Sequence, residues 1–191
     1  MNARKLWRKL TSSPKEDDAD NHPERLAVLP YCKGRGIDVG CGYRKTLPAC
    51  IGIDVIPKGQ KGEAGVVRGR RSTADICASG DDLPMFSDGE LDYVVARHNL
   101  EHYVDVVRTL QEWRRILKPE GHLCLVVPDE RFIDTIALDP THKHCFTPDS
   151  LDRIVALVGG FEQVVSRTVV PDWSFIAVYR RGQTPASVRS G

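Results

Sequence analysis

Between Arg35 and Asp54 the chain reads RGIDVGCGYRKTLPACIGID. The residues there whose types and spacing could do chemistry are Gly40, Cys41, Gly42 and Asp54. Glycines at the end of a strand let backbone come close to a ligand, because no Cβ stands in the way. An acid at the tip of the next strand is placed to accept hydrogen bonds from a ribose diol. Together they predict a site for a nucleotide-like cofactor. Farther along, His98, His102, His142 and His144 supply imidazoles that exchange protons near neutral pH. The His-x-His spacing of His142 and His144 also suggests metal ligands. No carboxylate pair beside it completes a set, so a polar loop without metal is the expectation.

These residues need elements to hold them. Arg35–Val39 and Ile51–Asp54 read as short buried strands around the glycine turn. Only about one turn of helix fits between them, in Arg44–Cys50, and Pro48 interrupts it. Pro57–Thr73 is rich in glycine and carries Arg68, Arg70 and Arg71, so a loop is expected in place of a helix, with a strand at Gly65–Arg68. Ala74-Asp75-Ile76 reads as a third strand with an acid near its end, and Leu91–Ala96 as a fourth. Val106, Leu110, Trp113 and Leu117 fall on one helical face, predicting a helix from Asp105 to Leu117 that Lys118-Pro119-Glu120-Gly121 stops. His122–Val127 is apolar throughout, which suits a central parallel strand buried on both faces. Thr147-Pro148-Asp149 opens another helix with a capping hydroxyl and proline at the first position, and Gly159-Gly160 ends it. Phe161–Val170 and Ser174–Arg180 form a final antiparallel hairpin. A short helix at Pro23–Leu29 precedes the first strand.

The chain has 191 residues and a net charge of +1, enough for one core and too neutral to favour nucleic acid. Residues 1–21 form a basic, then acidic, tail. Its first 15 residues could touch a membrane surface through Leu6, Trp7 and Leu10, although a solvated terminus is the plainer reading. Residues 22–181 form the folded domain, and 182–191 a loose end. Six cysteines without a C-x-x-C pair read as reduced thiols, and no apolar run is long enough for a membrane span. A reducing cytoplasm is expected.

In their order, Ile37-Asp38-Val39-Gly40-Cys41-Gly42, Gly52-Ile53-Asp54, Ala74-Asp75-Ile76, Leu83-Pro84-Met85-Phe86, Leu100-Glu101-His102 and Arg115–Leu123 resemble the class I S-adenosylmethionine-dependent methyltransferases, the methyltransferase type 11-like group. The resemblance covers roughly 23–180. It implies an α/β, doubly wound, mostly parallel seven-stranded sheet with an antiparallel C-terminal hairpin, and helices shortened after strands one and two. It implies S-adenosyl-L-methionine as cofactor. Gly40, Cys41 and Gly42 would approach its methionine part, with Asp38 organising that end. Asp54 would hold the ribose, with Val55 beside it. Asp75 would take the adenine amino group, with the Ile76 backbone nearby. Arg97, His98 and Asn99 would face the sulfonium and the acceptor. Where the family often has a third glycine stands Arg44, which either points outward or meets the cofactor carboxylate. The dinucleotide fingerprint fits less well: Lys45 holds its third glycine position, and Asp54 comes early.

A hydroxyl acceptor would need a base, and His98 and His144 are the candidates, His98 equally as a wall residue. His102 and Glu101 read as structural. His98-Asn99-Leu100 stands where amino-methylating relatives carry Asn-Pro-Pro-Tyr. With the family analogy, the expected acceptor is a small molecule or a sugar or glycan end, methylated at oxygen. The alternative is a cofactor-binding partner subunit with little catalysis.

Overall fold

The computed structural model describes residues 21–63 and 68–183. Among them one sheet is built from β1 (Gly36–Val39), β2 (Ile51–Asp54), β3 (Ile76–Cys77), β4 (Leu91–Arg97), β5 (Leu117–Pro128), β6 (Phe161–Val170) and β7 (Ser174–Arg181). The spatial order is β3-β2-β1-β4-β5-β7-β6. The first five strands run parallel, and β7 is antiparallel to both β5 and β6. This is the class I methyltransferase fold. Strand order reverses between β1 and β4, and open α/β sheets bind ligands outside the carboxyl ends at such a point.

The core explains the strand choices. Leu123 to Val127 of β5 are fully buried, as an apolar run with helices on both faces requires. Helix α1 (Pro23–Val28) covers one face, over Tyr93, Val95, Cys124 and Val126. Helices α2 (Val106–Ile116) and α4 (Pro148–Val158) cover the other, where Leu110, Trp113 and Ile116 meet Leu151 and Val155. The Asp105 carboxylate caps α2 by accepting the Arg108 N–H at 2.9 Å. Thr147 and Ser150 cap α4 reciprocally, Pro148 opens it and Gly159, at φ 70°, closes it. A four-residue turn, α3 (Thr135–Leu138), lies between them.

Three boundaries differ from expectation. Residues 43–50 hold turns and no helical turn. The third strand is Ile76–Cys77, so Asp75 precedes it: the Asp75 N–H donates to the Gly52 carbonyl before strand pairing begins. Leu117 leaves α2 to open β5, pairing with Leu91 across a bulge, and Glu120 takes a left-handed φ of 66° inside the strand. The strand expected at 65–68 and the membrane contact expected of residues 1–15 lie outside the described residues, apart from one bridge of Arg68 to Gly62. No helix among the described residues is long and apolar enough to cross a membrane.

A cleft at the carboxyl ends of the central strands

A cleft of about 930 Å³ opens where the strand order reverses. Gly40, Cys41, Gly42, Arg44, Asp54, Val55, Arg97, His98 and Asn99 all line it. Its floor is the glycine turn. The Gly40 and Cys41 N–H groups both donate to the Ile53 carbonyl, at 2.9 and 3.1 Å. Gly40 has φ 69°, and a Cβ there would collide with the Asn99 side chain. Asn99 is itself fixed, because the Tyr103 hydroxyl donates to its Oδ1 at 2.8 Å. Tyr103 packs edge-on against Trp113, whose Nε1 donates to the Gly80 carbonyl at 2.7 Å. Burial pushes the Cys41 thiol up to about 12, so it stays protonated.

Asp54 is oriented by two backbone donors. Gly42 N–H reaches Oδ2 at 2.8 Å, and Ile56 N–H reaches Oδ1 at 2.9 Å. A carboxylate has about four lone-pair sites, so accepting capacity remains on the cleft side. Beside the turn lie Arg44 and Arg97. Each has a buried Nε with no hydrogen-bond partner. Arg97 Nη2 donates to the Arg44 carbonyl at 3.2 Å and lies 3.9 Å from Asp38 Oδ2. Burial, then the neighbouring cations Arg97, Arg25 and Arg70, holds the Arg44 guanidinium below its usual range, against a contrary pull from Tyr43. Such a corner suits an anion.

Four expected residues are elsewhere. Asp38 is buried behind the turn, where it accepts the Thr46 N–H at 2.5 Å, and burial pushes its carboxyl up. It holds the turn without facing the cleft. Asp75 and Ile76 do not line the cleft. The Asp75 carboxylate is occupied by the Gly52 N–H at 3.0 Å, Lys45 Nζ at 2.8 Å and Lys58 Nζ at 3.2 Å, which hold it well below the usual carboxylate range. Ser79, Gly80 and Asp81, past the end of β3, take its expected place, with the Ser79 hydroxyl donating to Asp81. His144 lies outside the cleft, its Nε2 on the Val104 carbonyl at 3.2 Å and its ring on Phe146.

His98 follows β4 with φ 51°, a left-handed conformation that costs a non-glycine residue about 1–3 kcal/mol. Its N–H to the Val126 carbonyl at 2.8 Å holds it there. Burial alone would lower its ring, but Glu24 at 2.9 Å raises it to about 10. His98 is therefore an imidazolium at neutral pH, which corrects its expected role as a free base. Glu24, delivered by α1, is held down to about 2: against the cost of burial stand the His98 charge and hydrogen bonds from His98 and the Ser174 hydroxyl. Trp173 packs its ring 5.5 Å from His98.

Glu24, Ser79, Asp81 and Tyr103 are cleft residues that the sequence did not single out. Only the Ser-Gly-Asp turn ahead of Leu83-Pro84 offered a local signal. Glu24 carried none, since nothing in the first helix indicates a partner in the last strand.

Residues 37–125 match a family model described as the methyltransferase domain. Over that segment, a little under half of the chain, the protein is similar to this family. The chain is 28% identical over 122 residues to an uncharacterized protein of Methanocaldococcus jannaschii, covering 62% of this chain and 57% of that one. The chain spans about half the length of the curated relatives it matches. Its fold is that of a chain in the complex between the Haloferax volcanii Trm112 methyltransferase activator and a methyltransferase, with TM-score 0.65, 16% identity and coverage of 93% of this chain and 98% of that one. It is equally that of a SAM dependent methyltransferase from Archaeoglobus fulgidus, with TM-score 0.62, 17% identity and coverage of 94% and 100%.

The cleft's own residues fit S-adenosylmethionine, the cofactor that the resemblance implies. The unpartnered Arg44 and Arg97 nitrogens suit its carboxylate, and the oriented Asp54 suits its ribose diol.

Proposed function

We propose that the protein transfers the methyl group of S-adenosylmethionine to an oxygen of a small molecule or of a sugar or glycan end. The observation that carries this is the size of the cleft and the residues that share it. Arg44, Asp54 and Asn99 line it together with His102, Thr141 and His142. Its volume is at the upper end of the range of about 300–1,000 Å³ for ligand pockets, which suits two ligands side by side.

The cofactor supplies a methyl activated on a sulfonium, so the protein mainly aligns, holds and excludes water. In this reading Gly40 and Gly42 admit the ligand close to backbone, and Arg44 and Arg97 hold a carboxylate. Asp54 accepts from hydroxyls. Asn99, locked by Tyr103, forms the partition between the two halves. Ser79 and Asp81 border the outer end of the cofactor half, in place of Asp75.

A second reading is a cofactor-binding subunit that needs a partner. It draws on the Haloferax volcanii neighbour, a chain solved in complex with the Trm112 methyltransferase activator. Calorimetric titration with S-adenosylmethionine, S-adenosylhomocysteine and NAD, followed by turnover with a panel of hydroxylated acceptors, separates the readings. The first two ligands are expected to bind and NAD is not, with S-adenosylhomocysteine accumulating on turnover. Binding without turnover on any acceptor favours the partner subunit. No binding of either sulfonium ligand or its product by folded protein overturns both.

A further inference from the structure

Glu101 is the least satisfied buried group in the cleft wall. Its side chain is 1% exposed, and neither carboxylate oxygen has a hydrogen-bond partner. A carboxylate buried that way is costly unless something compensates it. The His98 ring pairs with its charge from Nδ1 at 3.7 Å and His142 Nε2 lies at 3.9 Å, both measured to Oε1 and both beyond hydrogen-bond reach, so its lone pairs stay open.

The His142 side of this gap has a definite chemistry. Nδ1 lies 2.9 Å from the Thr135 carbonyl, which can only accept, so Nδ1 carries the proton. In the neutral ring Nε2 then presents a lone pair to the carboxylate. Two electron-pair donors face each other with nothing between them. His102 adds a second imidazole, edge-on to His142 with ring centroids 4.7 Å apart. The ligand atoms of Glu101, His102 and His142 all lie within 4.8 Å of one another. Metal–ligand bonds of about 2.1 Å place such atoms about 3–4 Å apart, so small side-chain rotations would close the set.

We propose that Glu101, His102 and His142 bind a divalent first-row cation such as Mn²⁺, Fe²⁺ or Zn²⁺ on the acceptor side of the cleft. Two imidazoles and one carboxylate are a donor set for such ions. The outer hydrogen bonds that a metal site needs are in place. The Thr135 carbonyl orients His142, and His102 Nδ1 lies 3.1 Å from the Thr141 hydroxyl, which in turn donates to Asp139 at 2.7 Å. The backbone fixes the two halves to each other, because Lys143 and His144 N–H both donate to the Glu101 carbonyl, at 2.8 and 3.2 Å. His144, the partner that the His-x-His spacing suggests for His142, is not part of the set.

The role of this site rests on the methyl-transfer reading above. Three protein ligands leave coordination positions open to the cleft. An acceptor hydroxyl bound there is acidified by the cation and releases its proton to water. This names the acceptor class as hydroxylated.

The test starts with protein stripped by a chelator and titrated with Co²⁺, Zn²⁺ and Mn²⁺. One equivalent is expected, with a cobalt visible spectrum of nitrogen and oxygen ligation in place of the aqua ion's. Glu101→Gln and His142→Ala should each weaken binding by more than about 100-fold, beyond the loss typical of an outer hydrogen-bonding residue. An aqua-like cobalt spectrum, or wild-type affinity in both folded variants, overturns the site. If a variant does not fold, the wild-type spectrum alone decides. S-adenosylhomocysteine titration run in parallel reports on the methyltransferase reading separately. Cation binding without S-adenosylhomocysteine binding upholds the site and rejects that reading; the converse does the opposite.

Discussion

The two ends of the cleft are incomplete in opposite senses. At the glycine turn the unpartnered buried atoms are donors, Arg44 Nε and Arg97 Nε. Across Asn99 they are acceptors, both oxygens of Glu101. The other carboxylates of the wall are satisfied, Asp54 by two backbone N–H groups and Glu24 by His98 and Ser174, while His22 Nδ1 beside Glu24 is also without a hydrogen-bond partner. Since buried polar groups in folded proteins are nearly always paired, unpaired atoms that line a cleft point to a ligand of complementary charge. One end calls for an anion and the other for a cation.

The strongest way to break this comparison is to remove the partition. Gly40→Ala forces a Cβ into Asn99 at a left-handed position, and should abolish detectable S-adenosylhomocysteine binding. Adding Asn99→Gly should restore part of it; no recovery in calorimetry would mean that the collision is not with Asn99. Next in size is Asp54→Ala, which should weaken that ligand by about 1.5–3 kcal/mol, roughly 10- to 150-fold. Arg44→Met sharpens the anion end. It should cost about tenfold for S-adenosylhomocysteine and nothing for 5′-methylthioadenosine, which has no carboxylate. Equal losses for both ligands would show that Arg44 holds the fold and not the anion.

Two smaller effects concern what holds the wall. Glu24 has its carboxyl depressed from 4.5 to about 2 in the folded protein. A depressed acid contributes stability that is whole above its unfolded value and fades as pH falls toward the folded one. Melting temperature should therefore drop from pH 4.5 toward 2 in the native protein, and this part of the slope should disappear in Glu24→Gln. Tyr103→Phe removes the hydroxyl that pins Asn99 and should cost about 1 kcal/mol in chemical denaturation.

The fold was legible because its signals are local. The apolar run at His122–Val127, the helical spacing of Val106, Leu110 and Trp113, and the Thr147-Pro148 start each act within a few residues. The cofactor turn was legible for the same reason. Asp75 was misplaced because Ala74-Asp75-Ile76 looks like strand, while three electrostatic partners hold Asp75 ahead of it. The acceptor end was hidden more deeply. Glu101 and His142 lie on different crossovers, and only the sheet order brings them together. The His98 charge likewise depends on Glu24, an acid far away in sequence with no periodicity to reveal it.

The bond from the Ser174 hydroxyl to Glu24 joins residues 150 positions apart. Glu24 belongs to the first helix described and Ser174 to the last strand. During synthesis the cofactor turn, β4 and α2 can all leave the ribosome before β7 exists, yet the wall around His98 must wait for it. Contacts of such separation form late in folding. A nascent chain stopped short of β7 would carry the glycine turn and Asp54 without a finished acceptor wall, so cofactor capture and catalytic competence would arise at different times in the life of each molecule.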